Sequence, residues 1–256
     1  MEKNFKMVAK TLYGLEELLA QELRQLGASN IEIGTRNVAF EGDTGFMYKV
    51  NLCSRTAIKV LKPITAFNIF TEDDLYKKVY DIPWENYMEA DGSLAVDATV
   101  YSEVFTHSQY ISLKTKDAIV DRFRDKAGER PDVALDHPTL RINIHIDRNI
   151  CTVSLDSSGA SLHKRGYKIE NTLAPINEVL AAGMIMLTGW NGQCDFMDPM
   201  CGSGTIATEA AMIACNIPPN LNRDEFGFET WPDFDVDLYE TIENAALKKI
   251  KEFYFK

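Results

Sequence analysis

Residues 195–214, D-F-M-D-P-M-C-G-S-G-T-I-A-T-E-A-A-M-I-A, are the best spaced in this chain for ligand chemistry. Gly202 and Gly204 carry no Cβ, so the backbone can turn tightly there and come close to a ligand. A helix predicted from about Thr205 would present unbonded N–H groups at its first turn, where acceptor atoms bind. A short apolar strand predicted over residues 194–197 would lead into the turn at 198–204. Strand, Gly-rich turn and helix together make a nucleotide-type cradle.

The neighbours of the glycines narrow the ligand. Gly202-x-Gly204-x-x-Ala207 fits the dinucleotide fingerprint, while the phosphate-loop pattern G-x-x-x-x-G-K-[ST] is absent. Asp198 falls at the end of the predicted strand, facing the cradle. A carboxylate there repels a pyrophosphate but suits the ammonium and sulfonium charges of S-adenosylmethionine. No clean second strand ending in an acid follows about twenty residues on, as NAD binding requires. A turn that only packs a helix on a sheet would use the same glycines. The spacing alone specifies a nucleotide-like ligand.

The elements that must hold this loop follow from periodicity. Residues 1–65 read as β-α-β-β-α-β, the ferredoxin-like order. Their first helix, predicted over 14–26, puts Leu15, Leu18, Leu19, Leu23 and Leu26 on one face and ends at Gly27. Their second is predicted over 45–53 behind Thr44 as cap. Residues 66–156 alternate again, with a helix capped by Thr71, a strand over 93–101, a helix over 108–126 and a hairpin about 147–149. Ser157-Ser158-Gly159 reads as a flexible joint opening a linker over 157–173. A helix predicted over 174–189, with Pro175 in its first turn, is apolar almost all round and should be buried against a sheet. The fold class is therefore α/β with an α+β N-terminal part.

Polar clusters outside the loop are fewer. S-L-H-K-R-G-Y (residues 161–167) sets Lys164 and Arg165, which could meet phosphates, beside Tyr167, which could stack; a linker with solvated charges reads equally well. His163 suits a hydrogen-bonded linker residue better than a general base. On the 108–126 helix, Lys114, Lys116, Arg122, Arg124 and Lys126 are interleaved with Asp117, Asp121 and Asp125, first of all a salt-bridged face.

The run D-P-M-C-G-S-G-T-I-A-T-E-A-A, with S-L-H-K-R-G-Y and Ala174-Pro175 upstream and G-F-E-T-W-P (residues 227–232) downstream, resembles the bacterial THUMP-domain RNA methyltransferases. That family includes the 23S rRNA guanine-N2 methyltransferases, and members are often described as N6-adenine-specific DNA methylases. The resemblance covers essentially the whole chain. It implies a ferredoxin-like domain (1–65), a THUMP RNA-binding domain (66–156) and the first part of a Rossmann-like class I methyltransferase domain (174–256). It implies S-adenosylmethionine held by Asp198, Pro199, Met200, Cys201, Gly202, Ser203, Gly204 and Thr205, with Pro175 near its carboxylate. It implies RNA, ribosomal RNA first, as partner, with Lys114, Lys116, Arg122, Lys164, Arg165 and Tyr167 as candidate contacts.

One departure matters. The family's catalytic N-P-P-Y motif is missing, and Asn216-Ile217-Pro218-Pro219 is no substitute, because its prolines follow the first helix and simply end it. The catalytic residues are thus not identified, and the chain reads as an N-terminal part of a longer enzyme. A non-catalytic RNA-binding fragment is the rival expectation; DNA adenine methylation leaves a THUMP domain without a role.

Bulk composition bounds the rest. At 256 residues with 45% hydrophobic and 25% charged side chains, the chain can bury a sizeable core. No apolar run is long enough to span a membrane. Five cysteines without a C-x-x-C pair argue for reduced thiols in a cytoplasm and against zinc or another metal. The net charge of −11 runs against phosphate binding, so any basic face must be local. The residues do not specify an oligomeric state.

Overall fold

In the computed structural model, which describes residues 4–168 and 175–252, the chain opens with β1 (Phe5–Lys10), α1 (Glu16–Leu26), β2 (Ser29–Gly34), β3 (Asn37–Gly42), α2 (Thr44–Cys53) and β4 (Lys59–Asn68). β3 pairs antiparallel with both β1 and β2, and the sheet runs β2-β3-β1-β4, the ferredoxin-like arrangement. α1 buries Leu19, Ala20 and Leu23 completely. It ends where Gly27 takes φ 112°, its N–H returning to the carbonyls of Leu23 and Arg24. The cap of α2 differs from expectation. Asp43 accepts from the Phe46 N–H at 2.7 Å and Thr44 is already helical, a charged acceptor having taken the cap.

Contacts along the chain separate two units. One comprises Met1–Val60, Ser161–Glu225 and Asp235–Lys256; the other, Leu61–Ala160 and Phe226–Phe234. In the second unit β4 is followed by α3 (Glu72–Tyr80), β5 (Ser93–Tyr101), α4 (Ser108–Ala127), the two-residue β6 (Asp132–Val133), β7 (Leu140–Asp147) and β8 (Ile150–Asp156). Thr71 caps α3 in a reciprocal capping box with Asp74. β7 lies between β5, parallel to it, and β8, antiparallel to it, and its Leu140, Ile142, Ile144 and Ile146 are fully buried. The parallel pair is joined through α4, as a crossover requires.

One expectation fails here. Ser157 and Ser158 are not a flexible joint: both are fully buried, Ser157 O accepting from Phe228 N at 3.0 Å and Ser158 N donating to Asp156 Oδ1 at 3.0 Å. Phe226–Phe234 packs within the second unit. Its Phe226 and Phe228 rings stack at 5.2 Å, and Thr230 Oγ1 donates to Thr139 O at 2.6 Å. Gly227 makes this approach possible, because a Cβ there would sit 2.6 Å from Asp156 O and 2.7 Å from Gly159 N.

The first unit resumes with α5 (Glu178–Leu187), α6 (Thr205–Ala214) and α7 (Val236–Leu247). α5 starts later than predicted, behind Asn177, whose side chain accepts from Leu180 N. Pro175 precedes the helix, and Ala174 lies outside the described residues. α5 is not buried all round: Val179, Ala181, Ala182 and Ile185 face inward, while Leu180, Met184 and Leu187 are exposed. Gly183 lets it close on Leu15, whose Cδ1 would lie 2.6 Å from an added Cβ. α7 is capped by Asp235 and sets Tyr239 edge-on to Tyr48 of α2 at 6.1 Å.

Gly227→Ala should destabilise the protein by about 2 kcal/mol or more, since only backbone could yield to the new methyl. Urea unfolding checks this, and an unchanged midpoint would contradict the packing of Phe226–Phe234.

Candidate cofactor site

The Gly-rich turn is built as its sequence requires. Gly202 and Gly204 adopt φ 54° and 75°, the left-handed region that a side chain disfavours. A Cβ at either would meet nothing within 4 Å, so the space beside the turn is open. Gly204 N donates to Cys201 O at 2.8 Å, and Gly204 is the N-cap of α6, which has no side-chain cap. Ser203 Oγ and Thr205 Oγ1 are 3.2 Å apart. Asp198 Oδ1 accepts from Met200 N at 3.2 Å, whereas its Oδ2 is buried without a partner among the described residues. An unsatisfied carboxylate oxygen beside an open turn and an uncapped helix start makes a site for a ligand carrying both a cation and acceptor atoms.

Residues 194–197 do not form the predicted strand. They are held instead by Trp190, whose ring lies 4.9 Å from that of Phe196 and whose Nε1 donates to Cys194 O at 3.0 Å. A strand exists only through its ladder partners, and no described strand lies beside this segment. Met197 and Met200 are 85% and 89% exposed. Pro175 lines a pocket of about 460 Å³ with His163, Lys164, Lys168, Asn177 and Glu178.

Behind α6 lies a cluster of buried charge that sequence reasoning missed. Glu209 and the Arg165 side chain are fully buried and meet at 3.4 Å. Arg165 also donates to Leu162 O, Ser54 O and Asn220 Oδ1 through Nη1 and to Arg55 O through Nη2. Arg165 is buried and turned towards these partners, away from any phosphate, which corrects the expectation of an RNA contact there. Tyr167 OH donates to Glu209 Oε1 at 3.1 Å; burial, reinforced by the Glu209 charge, pushes its phenol pKa well up. Burial also raises the Glu209 carboxyl, opposed by Arg165. Arg55 reaches the far end of α6, donating to Met212 O at 3.1 Å and Ile217 O at 2.7 Å. Glu22 accepts from Ser54 Oγ, Thr56 Oγ1 and the Arg55 and Thr56 amides. One signal was legible: Glu209 is the lone charge in an otherwise apolar helix.

Three domain families match the chain in succession: the RlmL ferredoxin-like domain over residues 6–61, the THUMP domain over 70–156 and the RMKL-like methyltransferase domain over 165–254. These successive matches make the chain similar to THUMP-domain methyltransferases. It is 41% identical over 254 residues to the ribosomal RNA large subunit methyltransferase K/L of Syntrophotalea carbinolica, covering 97% of this chain and 36% of that protein. Among solved structures it is similar to a predicted N6-adenine-specific DNA methylase from Listeria monocytogenes, with 32% identity, TM-score 0.85, and 97% of this chain and 65% of that one covered. SMU.472, solved complexed with SAH, gives 33% identity, TM-score 0.83, and coverage of 98% and 66%. The chain thus spans about a third of the relative it matches and slightly under two thirds of these solved chains.

The cations singled out in the THUMP region are largely engaged. Arg122 makes a two-pronged bond to Glu85, at 2.6 and 2.8 Å, and donates to Tyr80 O. Lys114 pairs with Asp73 at 3.2 Å, Lys116 with Asp117 at 2.8 Å and Arg124 with Asp121 at 3.0 Å. In the S-L-H-K-R-G-Y segment, Lys164 is exposed and has no ion pair among the described residues. His163 is half-buried, its Nδ1 2.8 Å from Ser161 Oγ, and burial lowers its pKa.

The Arg122 fork holds the Glu85 carboxyl down at about 2. Whatever stability this pair gives is present above the ordinary carboxylate range and is lost as pH falls towards 2. Carboxyl NMR titration should place Glu85 there and return it to the ordinary range in Arg122→Met. An ordinary value in the native protein would refute the fork.

Proposed function

We propose that this chain holds the cofactor loop and RNA-gripping part of an enzyme that methylates a base nitrogen of RNA, with guanine N2 of 23S rRNA as the target. S-adenosylmethionine supplies an electrophilic methyl on sulfonium. The unpartnered Asp198 Oδ2 beside the open Gly202–Gly204 turn carries this reading. That carboxylate would receive the cationic part of the cofactor, while the backbone at Gly202, Ser203 and Gly204 and the start of α6 at Thr205 would hold its acceptor atoms. Pro199, Met200 and Cys201 form the mouth of the loop. Positioning of the methyl against an extruded base would supply most of the rate. The region matching THUMP domains would hold the RNA, with the exposed Lys164 as a further contact. The related methyltransferase K/L and the SAH-bound SMU.472 support both assignments. We place the reaction in the cytoplasm, consistent with cysteines that form no disulfide among the described residues.

Calorimetric titration with S-adenosylmethionine tests the loop. Micromolar binding is expected, weakened at least tenfold by Asp198→Ala and abolished by Gly204→Val, which cannot hold φ 75°. Unchanged affinity in Gly204→Val would remove the loop from the site. Because the α4 cations are paired, RNA binding should depend only weakly on salt. The slope of log affinity against log salt should be no steeper than about −3, where each phosphate contact contributes roughly −0.7 to −0.9. A steep slope in gel shifts with rRNA fragments would reveal a basic face elsewhere.

A further inference from the structure

Helix α6 begins at the Gly-rich turn, and its orientation is fixed by two arginines that precede it in sequence. Arg165 grips Glu209, one turn beyond Thr205, and anchors that grip to the carbonyls of Ser54 and Arg55 behind α2. The Arg55 guanidinium holds the other end of the helix at Met212 O and Ile217 O. A cation at a helix C-terminus is favourably placed against the helix dipole. Asn220 links the same parts, accepting from Arg165 and donating to Asn51 O at 2.7 Å. Arg55 and its carbonyl belong to the ferredoxin-like fold, which shares one unit with α6.

We infer that the ferredoxin-like fold is a working part of the cofactor site: through Arg55 and Arg165 it positions α6, and so sets the geometry of Gly202–Thr205. Arg55, Arg165 and Glu209 are positioning residues that touch neither cofactor nor substrate. Apolar contacts alone would let a helix of small side chains such as T-I-A-T-E-A-A-M-I-A slide or rotate. The Arg165–Glu209 pair, anchored on three backbone carbonyls and Asn220, and two carbonyl contacts from Arg55 fix one setting. The inference rests on the assignment of the loop to S-adenosylmethionine only for its effect on affinity, not for the positioning itself.

The test uses Glu209→Gln, Arg165→Met and the double variant Arg165→Met/Glu209→Met on the full chain. Amide hydrogen exchange reads positioning without cofactor. Both single variants should lose protection in the 204–214 segment by tenfold or more, while α1 keeps its protection. Equal loss in α1, or none in α6, would overturn the inference. S-adenosylmethionine affinity is measured well below each variant's melting temperature. It should fall at least tenfold in the singles and stay low in the double variant, where no charge of the pair is left alone but its directed bonds are gone; recovery there to within about threefold would show that apolar packing positions α6 as well and would overturn the inference. Singles that melt earlier yet bind with native affinity would make the pair a structural rivet only. A native protein that binds no cofactor at all would fail the loop assignment, and exchange would still decide the positioning.

Discussion

A buried guanidinium facing a buried carboxylate constrains everything in the first unit. Taking either charge out of water alone costs several kcal/mol, by general estimates, so each is tolerable only with its partner and further hydrogen bonds in place. Arg165 meets that condition through bonds to Glu209, three backbone carbonyls and Asn220. Glu22 meets it with two hydroxyls and two amides. The network requires α1, the end of α2, the S-L-H-K-R-G-Y segment and α6 to adopt one mutual arrangement, with Glu209 Oε2 and Arg55 Nη1 left without a hydrogen-bond partner among the described residues. Hydrophobic packing, being non-directional, would not be so selective.

This constraint explains which parts of the sequence were readable. Elements with clear periodicity or capping appeared at nearly their expected positions: the leucine face of α1, the alternating β7 and the Thr71 box of α3. The Gly-rich turn was legible because positive φ leaves few residue choices. The misplaced elements depended on distant partners. A cap passed from Thr44 to Asp43 by local competition, but residues 194–197 were called a strand on apolarity alone, although a strand is a pairing. Ser157 and Ser158 looked like a joint because small polar residues usually mark one. Their burial depends on Phe226–Phe234, some seventy residues later in the sequence.

Charge was the hardest feature to read. S-L-H-K-R-G-Y read equally as a phosphate contact or a solvated linker, and the α4 cations read first as a salt-bridged face, which their ion pairs match. Arg165 turned inward, Arg122 and Lys114 found acids on neighbouring elements, and Lys116 paired with Asp117 of its own helix. In a chain with a net charge of −11, cations outnumbered by acids mostly become structural. Lys164, beside the buried arginine, remained exposed. A run of adjacent positive residues was thus divided between a core and a surface, a distinction that periodicity cannot make in a non-periodic segment.

The interleaving of the two units has a consequence for synthesis. The ferredoxin-like segment leaves the ribosome first, yet the groups that complete its buried network, Glu209 and Asn220, follow Ser54 and Arg55 by more than 150 positions. At ordinary elongation rates that interval is roughly ten to thirty seconds. During it, Glu22 can already be satisfied locally, while the carbonyls of Ser54 and Arg55 and the Arg55 guanidinium wait in water. The Leu61–Ala160 insertion can build its own strands and helices in the meantime, lacking only Phe226–Phe234. The nascent chain therefore assembles from the middle outward, and its opening domain is among the last parts to be locked.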